Sequence, residues 1–143
     1  MSGGTFSKVK ATDDRMYGPR GLVVCGYPPE EHGPLDGFLE RFGGADLPVV
    51  FATKEIAAQT LGEILSLPNR SGKGEPSNLR RAMVLSGFTQ KELHTLMGAY
   101  RQGGLPDQLW ATLTPISENW SLTDLLEELA RESEAMKKQG PRR

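Results

Sequence analysis

The 143-residue chain has little of several things that specify chemistry. There is one cysteine, Cys25, and there are two histidines, His32 and His94. A lone cysteine forms no internal disulfide, which favours a reducing compartment. One thiol and two separated imidazoles fall short of a usual zinc set, so neither a metal nor a cofactor is expected. The formal net charge is −1, which gives no bulk attraction for a polyanion. Aromatic residues are few and do not alternate with basic ones, so nucleic acid is not an expected partner. No stretch approaches the roughly 18 apolar residues of a membrane span, and any membrane association would be peripheral, through a partner. The opening Met1-Ser-Gly-Gly-Thr-Phe reads neither as a signal nor as a transit peptide. The sequon Asn119-Trp120-Ser121 is therefore read as accidental.

The chain does carry a repeat. Gly21–Leu65 lies over Ala82–Leu126 at a constant offset of 61 residues without a gap, and ten of 45 positions are identical. They are Val23/Val84, Gly26/Gly87, Glu31/Glu92, Leu35/Leu96, Gly37/Gly98, Gly43/Gly104, Asp46/Asp107, Thr53/Thr114, Leu61/Leu122 and Leu65/Leu126. A gapless repeat of this length is a duplicated folding unit. One such unit alone would be marginal, so the two are expected to share a core.

Both units follow one plan. Gly21-Leu-Val-Val-Cys-Gly and Ala82-Met-Val-Leu-Ser are short apolar runs that read as buried strands. Pro28-Pro29-Glu30-Glu31 opens a helix with Leu35, Phe38, Leu39 and Phe42 at helical spacing. Thr89-Gln-Lys-Glu92 is a capping box before Leu93, Leu96, Met97 and Tyr100. Second strands follow at Leu47–Thr53 and Gln108–Thr114. Closing helices start at Thr60-Leu-Gly-Glu63 and Ser121-Leu-Thr-Asp124. The expected fold class is α/β: two tandem strand-helix-strand-helix units with a pseudo-twofold relation, and a four-stranded, mainly parallel sheet covered by helices. The organisation is a flexible N-terminal arm at 1–19, a first unit at 20–67, a flexible basic linker at 68–80, a second unit at 81–136 and a polar tail at 137–143.

No catalytic set emerges. His32 and His94 lie early in the first helix of each unit without a partner motif, where a histidine is usually solvated. Cys25 ends a strand and reads as buried. Gly72-Lys73-Gly74 lacks the Lys-Ser/Thr ending and the strand-loop-helix setting of a phosphate loop. Parallel strands would instead gather their carboxyl ends on one edge, where open α/β sheets usually bind ligands. That edge would hold Tyr27, Thr53, Phe88 and Thr114, with Asn119 and Trp120 nearby. These six form the candidate partner or ligand surface. The competing structural role is a hydrophobic staple, whose spacing Phe88 shares with Leu93 and Trp120 with Leu125. Arg70, Lys73, Arg80 and Arg81 form a second, basic candidate that could hold phosphates or an acidic protein face.

Arg81-Ala-Met-Val-Leu-Ser-Gly-Phe, Glu92-Leu, Gly104-Leu-Pro, Leu113-Thr-Pro, Asn119-Trp-Ser-Leu and Leu125-Leu-Glu-Glu-Leu resemble a family of small domains of unknown function, number 3783. The resemblance covers 81–129 and implies no reaction. With Arg15-Met-Tyr-Gly-Pro-Arg-Gly-Leu-Val-Val-Cys-Gly-Tyr in front, the chain is similar to the plastid branch of plants and green algae. That branch contains photosystem I assembly factors acting at the stromal side of thylakoids. The resemblance therefore implies a non-enzymatic, chloroplast protein-interaction module. Its partner would be a stromal photosystem I subunit or another assembly factor. Without the plastid resemblance, the chain would read as cytoplasmic. The alternative function is a small-ligand or anion-binding regulatory domain using the carboxyl edge, since helix N-termini there suit phosphate or carboxylate groups.

Overall fold

The computed structural model describes residues 14–43 and 46–139. The strands are β1 (Gly21–Cys25), β2 (Val49–Ala52), β3 (Ala82–Ser86) and β4 (Leu109–Thr112). The helices are α1 (Pro29–Gly43), α2 (Leu61–Leu65), α3 (Gln90–Gln102) and α4 (Leu122–Gln139). Short 3₁₀ turns at Ile56–Ala58 and Ser117–Asn119, one per unit, precede α2 and α4. Both expected capping boxes form, at Thr60/Glu63 and Thr89/Glu92.

The sheet order is β2-β1-β3-β4. β1 pairs parallel with β2, and β3 with β4, each by a helical crossover within its unit. The central β1–β3 pair is antiparallel. The α/β fold with a mainly parallel sheet therefore stands. Alternate strand residues face two cores. Leu22, Val24, Met83 and Leu85 meet Leu35 and Leu39 of α1 and Leu96 and Tyr100 of α3. Val23, Cys25, Ala82 and Val84 meet Leu61 and Ile64 of α2 and Leu122, Leu125 and Leu126 of α4. Covering on both faces explains why β1 and β3 read as continuous apolar runs. Each large aliphatic side chain so buried contributes about 1.5–3 kcal/mol of transfer free energy.

The duplication is a rotation in space. Val23 faces Val84 across β1–β3, and these residues are counterparts at the offset of 61. Thr60 bridges Ser121, a second such pair. Around it Leu61 N donates to Trp120 O at 3.0 Å and Leu122 N donates to Gln59 O at 3.1 Å. Two residue pairs that map onto each other fix a pseudo-twofold axis, and the contact is isologous as in a symmetric dimer.

This rotation corrects the single carboxyl edge. β1 and β2 run one way and β3 and β4 the other, so the strand ends of the two units emerge at opposite edges. The physical reason is the twofold: a face that pairs with its own copy must meet it antiparallel.

Residues 68–80 are largely exposed, as a linker would be, but residues 69–71 are tied to β2. Val49 N donates to Asn69 Oδ1 at 2.8 Å, Arg70 N to Val49 O at 2.6 Å and Phe51 N to Ser71 O at 2.8 Å. The segment lies against the outer edge of β2, satisfies its backbone and shields it. Polar turn formers signal a loop in sequence, but a sheet edge recruits backbone, which composition does not report.

Of the arm placed at 1–19, residues 1–13 lie outside the described residues, as do 140–143 of the tail. The described part of the arm is tied to the end of β3. Met16 N donates to Phe88 O at 2.8 Å and Gly87 N to Tyr17 O at 3.0 Å. The tail begins later than expected, because α4 continues through Lys137 to Gln139.

Candidate functional site

At one edge stand Tyr27 and Thr53, and at the other Phe88, Thr114, Asn119 and Trp120. The structure does not bring the six together. Tyr27 is 2% exposed, Phe88 0% and Thr53 5%. These three belong to the interior and are removed from the candidate surface. A large aromatic ahead of a helix gains more by packing into the core beneath that helix than by staying in water. Phe88, with Leu93 packed against the same cluster, fits the staple reading.

The buried aromatics anchor a reciprocal clasp. Arg81, just before β3, lies over the Tyr27 ring at 4.4 Å and pairs with Glu31 of α1 at 2.9 Å. Arg20, just before β1, lies over the Phe88 ring at 5.1 Å and pairs with Glu92 of α3 at 2.9 Å. Arg20/Arg81, Tyr27/Phe88 and Glu31/Glu92 are all counterparts at the offset of 61. Each unit thus supplies the arginine that closes the other. Gly26 and Gly87 make room for it. Their φ values are +79° and +70°, and a side chain there would meet Leu79 O at 2.5 Å or Gly18 O at 2.7 Å. The shared glycines serve the crossing of the partner unit's entry segment as well as a turn.

Beneath Arg81 lies a polar pocket of the interior. The Tyr27 hydroxyl donates to Gln108 Oε1 at 2.6 Å and sits 3.3 Å from the Tyr100 hydroxyl. Burial, then Tyr100, pushes its pKa up against the opposing pull of Arg81. It stays a neutral donor that joins the units.

The basic candidate is largely neutralised from within. Arg70 and Lys73 both reach Asp36 of α1, at 2.7 and 2.6 Å. Burial alone would raise the Asp36 pKa, but Lys73 and Arg70 outweigh it and hold the carboxyl below its ordinary value. Arg81 is committed to Glu31, and Arg80 is exposed beside it. The four cations are therefore structural latches and one surface charge, not one anion site. Sequence proximity marked them as a cluster, while their acid partners lie on a helix more than 30 residues away.

His32 is another residue that sequence reasoning placed wrongly. It is 3% exposed and stacks on Phe51 at 4.5 Å. Gly74 N donates to its Nδ1 at 2.7 Å, so Nε2 carries the proton and donates to Tyr27 O at 2.9 Å. Nδ1 thus holds the linker to α1, and Nε2 holds α1 to the turn that follows β1. His94 is exposed. Cys25 is fully buried, and burial pushes its thiol up to about 12, far from a nucleophile's range. Among the described residues, no group of three His, Cys, Asp or Glu could hold a metal ion.

What remains of the candidate surface is one turn of the second unit. Thr114 and Ser117 bond reciprocally, backbone amide to side-chain oxygen, at 3.0 Å each way. This stiffens the Ser117–Asn119 turn. Asn119 donates to Pro115 O at 3.5 Å. Around the turn stand Ile116, 71% exposed, Trp120, 37% exposed, and Tyr17, 43% exposed, whose hydroxyl bonds Glu118. Sequence reading found Trp120 but missed Ile116 and Tyr17. The repeat carried the signal: the counterparts of Ile116 and Trp120 are Glu55 and Gln59.

The fold and its exposed turn define a three-layer α/β domain of two rotated copies, the second of which presents the exposed apolar residues Ile116 and Trp120. Residues 81–136, which span that second copy, match the family model described as Domain of unknown function (DUF3783). No curated protein and no solved structure matches the chain. No helix among the described residues is long and apolar enough to cross a membrane.

Proposed function

We propose that the chain is a non-enzymatic protein-interaction module, and that it serves as an assembly factor for photosystem I at the stromal face of chloroplast thylakoids. The observation that carries the interaction reading is the rigid turn bearing Ile116 and Trp120. Large apolar side chains held in water by a stiff scaffold suit burial against another protein at small entropic cost. Their polar counterparts in the first unit separate the surface from the demands of the fold. The engaged His32 and buried Cys25 support the same reading. The photosystem partner rests on the plastid resemblance of Arg15–Tyr27 together with the second unit. A stromal subunit or another assembly factor is the partner class it suggests.

The test is capture from solubilised thylakoids with the full chain as bait. Photosystem I subunits should be enriched by the wild type and lost from Trp120→Ala and Ile116→Ser. No enrichment of any photosystem subunit by the wild type sinks the assembly role. Enrichment that survives both substitutions moves the contact elsewhere.

A further inference from the structure

The two outer edges of the sheet are finished differently. On β2, the outward amides of Val49 and Phe51 donate to Asn69 Oδ1 and Ser71 O, and Val49 O accepts from Arg70 N. Their counterparts on β4 are Trp110 and Thr112. Leu109 and Leu113 turn their amides inward, to Arg81 O at 3.1 Å and Leu85 O at 2.9 Å. Alternation along the strand therefore turns the amides of Trp110 and Thr112 outward. Among the described residues nothing accepts from them. The positions equivalent to the linker's 69–72 are 130–133, and these lie within α4.

The edge strand itself is uncharged, and the groups beside it are mixed. β4 reads Leu-Trp-Ala-Thr, with no charge or proline of the kind that blunts a free edge. A groove of about 500 Å³ runs beside it, lined by Leu109, Trp110, Leu129 and Met136 together with Glu132, Ser133 and Lys137. Met136 is 72% exposed. On the α3 side the linker-holding His32 and Asp36 are replaced by Leu93 and Met97. The two side chains that hold the linker on the β2 side therefore have no polar equivalent at these positions.

We propose that the β4 edge pairs antiparallel with the β4 edge of a second copy of this chain. Self-complementarity selects that occupant. Trp110 and Thr112 each offer an unpaired donor and acceptor, so a twofold meeting of two β4 strands satisfies both copies with the same residues. The contact repeats between chains the operation that joins β1 to β3 within one. It also closes. The joined sheet ends on β2 at both sides, each covered by its own linker, so association stops at the dimer. This surface is separate from the Ile116–Trp120 turn and stands or falls independently of it.

Light scattering coupled to size exclusion, over a wide concentration range, should give twice the chain mass of 15.6 kDa. Thr112→Pro removes one outward amide at an edge position that tolerates proline, and Thr112→Lys places a charge on the edge. Each should halve the mass while the far-ultraviolet circular dichroism is unchanged. Hydrogen exchange on the wild type reads the same edge without a substitution: the Trp110 and Thr112 amides should exchange slowly when concentrated and quickly on dilution. A monomer at every concentration overturns the proposal, as does a dimer that persists in both variants. Slow exchange of those amides in a monomer assigns the edge to the chain's own residues and overturns it equally.

Discussion

Val23 lies directly opposite Val84, its own counterpart 61 residues along the chain, at the centre of the antiparallel β1–β3 pair. The pseudo-twofold axis passes between them, so the two units share one interior on each face of the sheet.

A shared interior makes unfolding cooperative. Leu22→Ala and Met83→Ala, counterparts with 0% exposure, should each cost about 2–5 kcal/mol. Each should shift a single urea transition. Two separable transitions in either variant would show that the units fold independently.

The linker should be judged by its glycines. Gly72 has φ +79°, and an added Cβ would stand 2.0 Å from Phe51 O, whereas Gly74 at φ +87° faces open space. Gly74→Ala should cost about 1–2 kcal/mol, the penalty of left-handed backbone alone. Gly72→Ala must also lift the linker off β2, so it should cost more and open residues 68–80 to proteolysis. Equal urea midpoints for the two variants would contradict the covering role.

Acid should loosen the latches in a defined direction. Asp36 is held below its ordinary value of 3.8 because Lys73 and Arg70 outweigh its burial. Glu92 is held below 4.5 because Arg20 and the Thr89 amide outweigh its burial. A carboxylate with a lowered folded pKa stabilises above its unfolded pKa, and that stability is lost as pH falls through the folded value. Stability from these groups should be level down to roughly pH 5 and decline below it. Asp36→Asn should lower the urea midpoint at neutral pH and shrink the acid decline. A midpoint that rises as pH falls below about 5 would contradict this sign.

Cys25 should be silent. With its thiol pushed up to about 12, roughly one molecule in 10⁵ is thiolate at neutral pH. Alkylation should be negligible in the folded chain and complete in denaturant. Fast reaction of the native protein would reopen a catalytic role for this residue.

The clasp tests the tie between units. Arg20 meets Glu92 in a two-pronged arrangement, at 3.0 and 2.9 Å. Both groups are partly solvated, so the pair should contribute no more than about 1 kcal/mol in a double-mutant cycle. Arg20→Lys should lose most of it, since an ammonium cannot reproduce the fork or the stacking on Phe88.

Much of the scaffold was legible because local chemistry writes it directly. The Thr60/Glu63 and Thr89/Glu92 boxes marked helix starts, and the runs Leu22–Cys25 and Ala82–Leu85 marked strands buried on both faces. The candidate site was less legible. Tyr27, Phe88 and Thr53 looked like an edge surface and are interior. Arg70 and Lys73 looked like a basic patch and are bound to Asp36. His32 looked solvated and is buried between α1 and the linker. In each case the deciding partner lies far away in sequence.

By itself, the sequence determined the duplication, the α/β class and the order of elements, since periodicity and capping act within a few residues. Only the tertiary structure decided how the copies meet. The twofold at Val23 and Val84 reverses one unit against the other, sends the two carboxyl edges apart and exchanges Arg20 and Arg81 between units. A sequence repeat fixes that two surfaces are alike. Whether like surfaces meet side by side or by rotation depends on which arrangement buries both, and that is settled only when the chain packs.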